Sequence, residues 1–187
     1  YKRQSITLAI VGLYSICFSE PVINYWVGLD KYGGTWLLII IVLANILFQF
    51  RSYCNNILYT GGLINKSAKL DILCAIVYLA ILLAVIKPIQ VYAIPLATLV
   101  VSILFISWYL KLMQKHLGLN VRILVVEFVK SMIVILPFVA VHYILNLDYH
   151  NLYVYGAYFI VFSVLFVSVL LVTNKSFFIL LQSKLKK

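Results

Sequence analysis

Six long apolar runs separated by short polar connections fill almost the whole chain. They cover residues 5–27, 36–61, 68–86, 89–111, 123–145 and 152–172. Each approaches or exceeds the ~20 residues that a helix needs to cross ~30 Å of hydrocarbon. Inside lipid the backbone must satisfy its own polar groups, and these runs are too long and too uniformly apolar for barrel strands. The pattern predicts an all-α, polytopic membrane protein built as a six-transmembrane-helix bundle. The connections GLDKYGG, GGLINKS, QKHLGLNVR and NLDYHN are short, and Lys87-Pro88 predicts a sharp corner between the third and fourth spans. Such links make successive helices antiparallel, and none is long enough to separate two domains, so residues 1–187 form a single helical lobe. The first run has no small-residue cleavage site, so it reads as a span and not as a signal peptide.

Composition agrees. Hydrophobic residues make up 65% of the chain and charged residues 11%, with a mean hydropathy of +1.08. A soluble domain is about half apolar and a quarter charged. The net charge of +10 would point to nucleic acid on a soluble protein, so its placement decides. Lys2, Arg3, Lys66, Lys69, Lys111, Lys115, Arg122, Lys175, Lys184, Lys186 and Lys187 fall on one side, against Lys31 and Lys87 on the other. Basic residues collect on the cytoplasmic side of membrane proteins, so both termini are expected there. The charge is then explained by topology and anionic lipid, and no nucleic-acid partner is expected. Trp26, Tyr32 and Trp36 belong to the outer aromatic belt, and Trp108 and Tyr109 to the inner one.

Span two breaks the apolar pattern. Asn45, Gln49, Ser52, Asn56 and Tyr59 fall in one stripe about 80° wide at 100° per residue, flanked by Asn55 and Arg51. Leu43, Ile46, Leu47, Phe50, Cys54, Ile57 and Leu58 cover the other side. An arginine near a helix centre costs about 2.5–3.5 kcal/mol on insertion scales. Two readings are open. The polar face looks at other helices or a water-filled cavity, or Arg51, about 15 Å of helix rise from Gly61, snorkels toward the cytoplasmic headgroups. Snorkelling explains the arginine but not the amides.

The other spans carry scattered polar groups. Glu127 and Lys130 are three apart on one helix face: either a mutually satisfied pair or a lysine released to an anionic substrate. Pro137 should kink or break span five. His142 is either a bonded interface residue or a proton relay. Glu20 stands beside Pro21, which removes a backbone bond; a carboxylate at such a break is either an ion-coupling site or an interface residue. Asp71 opens span three and reads as a helix N-terminal residue favoured by the dipole, while Asp30 and Asp148 fall in outer loops. Cys17, Cys54 and Cys74 sit in apolar runs without metal spacing and read as small core residues. There is no Gly-rich phosphate loop, no HExxH, no GxSxG and no CxxC. No catalytic residue, metal or cofactor is implied, and singly scattered polar groups suit a conduit better than an enzyme.

Three stretches together resemble one family. FSEPVINYWVGLDKYGG, NNILYTGGLINKSAKLDIL and YAIPLATLVVSILFISWYLK are similar to consecutive helices and turns in the second half of polysaccharide and O-antigen flippases, within the multidrug/oligosaccharidyl-lipid/polysaccharide exporter superfamily. Gly62-Leu63 stands where a lysine is common after the TG of that turn, and Tyr92 to Pro95 replaces the glycine usual near the start of the next helix. The resemblance implies one lobe of a two-lobe transporter. The chain begins Tyr1-Lys2-Arg3 without methionine, so it is expected to be the carboxy-terminal lobe, lacking its N-terminal partner lobe; a homodimer of halves is the alternative. The implied activity is flipping an undecaprenyl-diphosphate-linked oligosaccharide across the bacterial cytoplasmic (inner) membrane. Arg51 and Lys130 would then attract the diphosphate. Asn45, Gln49, Ser52, Asn55 and Asn56 would bind sugar or phosphate, and Glu20 is the ion-coupling candidate. The alternatives are a small-solute or drug exporter of the same superfamily and a non-catalytic membrane scaffold subunit.

Overall fold

A computed structural model describes residues 2–26, 28, 33–133, 135–145 and 152–173. All its elements are helical: α1 (Lys2–Trp26), α2 (Thr35–Thr60), α3 (Ile64–Ile89), a 3₁₀ turn (Gln90–Tyr92), α4 (Ala93–Leu117), α5 (Val121–Ile133), α6 (Ile135–Leu145) and α7 (Leu152–Thr173). Among the described residues there is no strand. Asp30, Lys31, Tyr32, Asp148 and the basic residues from Lys175 to Lys187 lie outside the described residues.

Among the described residues, two helical stretches, Thr35–Thr60 and Ile64–Leu117, are long and apolar enough to cross a membrane. The second is divided by the 3₁₀ turn into α3 and α4. A core helix of a soluble protein would pass the same test, but it would be buried by its own chain. The most apolar window of Ile64–Leu117 has only 6% of its residues inside the protein. Ile72, Ile76, Leu79 and Leu83 stand 56–72% exposed on α3, at the three- and four-residue spacing of one helix face. An apolar stripe of that length needs a nonaqueous cover.

The contacts within the chain divide it into two units, Tyr14–Glu127 and Tyr1–Leu13 with Phe128–Lys187. In the first, α4 is the central helix and packs on both α2 and α3. Its buried stripe is Ala93, Ala97, Val101, Phe105, Tyr109 and Met113, one residue every four. Small residues at its start, with Ala44 and Cys54 buried on α2, let helix backbones approach closely, which is how helices associate in lipid. In the second unit, Phe138 of α6 meets Phe162 and Phe166 of α7 edge-on, with centroids 5.4 and 4.9 Å apart. His142 Nδ1 lies 3.3 Å from the Tyr158 hydroxyl, so this histidine is a bonded residue between two helices.

The prolines act as helix chemistry requires, with one correction. Pro137 lies inside α6 and has no N–H for the carbonyl of Ile133. The expected corner at Lys87-Pro88 falls instead at Gln90–Tyr92, where Gln90 adopts φ 42°. Pro88 sits in the last turn of α3, where the one bond it deletes does not stop the helix. The turn between α2 and α3 is sharper. Leu63 N–H donates to the Leu58 carbonyl at 2.9 Å and Gly62 N–H to Tyr59 at 3.1 Å. That is a Schellman end, with Gly62 at φ +78° and open space where a side chain would stand. Gly62→Ala is expected to destabilise the protein by about 1 kcal/mol through backbone strain alone. Reversible unfolding in mixed detergent reads this, and an unchanged midpoint would refute it.

Candidate functional site

The first unit holds a cavity of about 440 Å³ lined by three helices. α2 supplies Phe48 and Arg51, α3 supplies Asp71, Cys74 and Tyr78, and α4 supplies Thr98 and Val101. On α3, Ser67, Asp71, Cys74 and Tyr78 follow at spacings of four, three and four, which sets them on one face. That face turns inward, burying Ser67 and Cys74, while the Ile72–Leu83 stripe stays exposed.

Asp71 is the hub of this unit. Its position corrects the sequence expectation: α3 begins at Ile64, so Asp71 lies about two turns inside the helix and not at its dipole end. Asn55 Nδ2 donates to Asp71 Oδ2 at 2.9 Å and the Tyr59 hydroxyl donates to the same oxygen at 3.1 Å. From α4, the Tyr109 hydroxyl donates to Oδ1 at 2.5 Å. The Ser67 hydroxyl donates to the Asn55 side-chain oxygen, which fixes which way that amide points. A carboxylate away from bulk water is tolerated only if its oxygens are bonded, and bonds to an ionised acceptor are the stronger kind. Here two helices, α2 and α4, provide them. Tyr109 is fully buried and so does not belong to the aromatic belt, unlike half-exposed Trp108. Neighbours on a helix point about 100° apart, so only one of the two can face lipid.

Arg51 is half-buried and nine residues from the end of α2, about 14 Å of rise. Its guanidinium carbon lies 5.2 Å from the Phe48 ring centroid, a cation–π distance. Among the described residues no carboxylate comes within ion-pair distance of it. Arg51 and Asp71 therefore share one cavity without forming a contact pair.

The remaining sequence-predicted residues divide. Asn55 joins Arg51 on the inward side, bonded to Asp71. Ser52 is half-buried. Asn45, Gln49 and Asn56 are exposed on α2, away from the cavity. Glu20, half-buried on α1, does not line the cavity, and Lys130 is exposed on α5 within the other unit. Glu127 is half-buried on α5. Cys17, Cys54 and Cys74 are buried, as small core residues would be. Among the described residues no three His, Cys, Asp or Glu side chains come close enough to hold a metal ion. Asp71 and Tyr109 are the site residues that sequence reasoning missed, and Tyr59 was placed on the stripe of span two without a role. The available signal was the polar spacing of Ser67, Asp71, Cys74 and Tyr78 along an otherwise apolar helix.

At the same end of this unit, Lys66 Nζ lies 3.0 Å from His116 Nε2, joining the start of α3 to the end of α4. Gly61 lies against Leu117 there, where a Cβ would come within 2.7 Å of a leucine methyl. These contacts clamp the open end of the α3–α4 hairpin onto the end of α2. In comparisons with known proteins, no family model, no curated protein and no solved structure matches the chain.

Proposed function

We propose that this chain is one lobe of a two-lobe transporter that flips an undecaprenyl-diphosphate-linked oligosaccharide across the bacterial cytoplasmic membrane by alternating access. Six spans with both termini cytoplasmic follow from the apolar runs and the placement of basic residues. The family reading rests on the resemblance of the three quoted stretches.

The observation that carries the reading is Arg51. An arginine deep in a membrane-crossing helix is costly and calls for a partner or a hydrated space. Arg51 borders a cavity that also holds a carboxylate, and its fork of donors is not taken up by an ion pair. Snorkelling accounts for neither the cavity nor the bonded carboxylate beside it. Exposed Asn45, Gln49 and Asn56 add a second polar strip on the same helix. In this reading the strip meets the partner lobe or the central passage, since amides facing lipid would be left without partners.

The test is cysteine accessibility at positions 45, 49 and 56 in whole cells, in the full-length protein. A water-soluble maleimide is expected to label all three, and accumulated lipid-linked substrate to block them. Absence of labelling at every position would mean that the strip is packed or lipid-covered, and the transport reading would fall.

A further inference from the structure

We propose that the Arg51–Asp71 cavity receives a neutral sugar residue of the ligand and leaves the diphosphate outside. This rests on the transport reading above and differs from the simpler expectation that Arg51 seeks phosphate.

Charge comes first. Arg51 and Asp71 are the cavity's charged lining residues, so together they carry no net charge. A diphosphate would bring its negative charges up to the Asp71 carboxylate, in a setting where like charges repel more strongly than in water. A site built for phosphate places cations and backbone N–H groups around it, and this one places an acid there.

Hydrogen bonding comes second. A carboxylate offers about four acceptor positions. Asn55 and Tyr59 occupy two on Oδ2, and Tyr109 occupies one on Oδ1. One remains on Oδ1, suited to a ligand hydroxyl that donates. Arg51 offers a planar fork of donors to ligand oxygens. Thr98 has committed its proton to the Ile94 carbonyl at 2.9 Å, which leaves its oxygen as an acceptor. Sugar hydroxyls both donate and accept, so they match a wall that carries both. A phosphate only accepts, and it would leave Asp71 and Thr98 unmatched.

Shape comes third. Phe48 and Tyr78 supply ring surface beside these polar groups, as the apolar C–H face of a pyranose requires. The volume, about 440 Å³, falls within the ~300–1,000 Å³ of small-ligand pockets.

The experiment uses the full chain with its partner lobe in lipid nanodiscs. Ala75→Cys and, separately, Thr98→Cys place a thiol on the cavity wall. Cys74 also borders the cavity, so both substitutions are made in a Cys74→Ala background, which by itself is the blank. Labelling by a water-soluble maleimide is followed with neutral methyl glycosides or with inorganic pyrophosphate. Glycosides are expected to slow labelling about tenfold when present at about ten times their Kd, while pyrophosphate leaves it unchanged. Asp71→Asn makes the cavity net positive, and pyrophosphate should then protect. Protection by pyrophosphate and not by glycosides in the protein with Asp71 intact would overturn the proposal. So would labelling that neither compound slows. If neither cysteine labels at all, the cavity is closed to water and the transport reading itself fails.

Discussion

Asp71→Ala is expected to cost the protein about 3 kcal/mol of stability, about 1 kcal/mol for each of the three donors left without an acceptor away from bulk water. Asn55 and Tyr59 on α2 and Tyr109 on α4 all converge on this carboxylate from α3. Its loss releases the polar ties among three helices at once. Tyr109→Phe keeps the buried ring and removes one bond to a charged acceptor, so about 1.5 kcal/mol is expected. The two substitutions share a partner and will not add. Unfolding in mixed detergent micelles, followed by circular dichroism, reads both. If Asp71→Ala unfolds at the midpoint of the parent, the carboxylate is not the hub of this unit. An effect for Asp71→Ala no larger than for Tyr109→Phe would assign the stabilisation to the α3–α4 contact alone.

The second large effect is expected at Arg51. Arg51→Gln keeps length and polarity but removes the charge and most of the donor fork. Losing one charge-assisted bond to a ligand is worth about 2 kcal/mol, which corresponds to a roughly 30-fold fall in export rate. Arg51→Lys should fall between, because an ammonium keeps the charge without the planar fork. Folding should survive both changes, since Arg51 makes no ion pair within the described chain and gives up only its stacking on Phe48 and its contact with Cys74. The check is the rate at which lipid-linked units reach the outer face, normalised to folded protein in the membrane. Export at the parental rate by well-folded Arg51→Gln would remove the basis of the proposed function. Loss of export together with loss of folded protein would show Arg51 to be structural.

How much of this was legible in the residues depends on which property is asked of them. A hydropathy window sees apolar length, so α2 and α7 agree with the apolar runs within a residue or so at each end. It does not see hydrogen bonding, so the polar first turn INKS was read as a loop, although α3 already begins at Ile64. That shift of four residues made Asp71 look terminal. The TGG turn was readable because its effect is local: one backbone conformation that glycine adopts freely.

The period of a helix sets the direction of each side chain about its own axis and says nothing of what stands in that direction. The amides of α2 were grouped correctly as neighbours on a stripe, yet α3 and α4 lie toward only one of its edges. Asn55 and Arg51 therefore turn inward while Asn45, Gln49 and Asn56 stay exposed. By itself the sequence determined a strongly apolar, helical chain with stretches long enough to cross a membrane, because these follow from transfer into lipid. Only the tertiary structure decided that Asp71 meets Asn55, Tyr59 and Tyr109 and shares a cavity with Arg51. Those residues lie up to 58 positions apart in the chain, and only the packing of α2 and α3 on α4 brings them together.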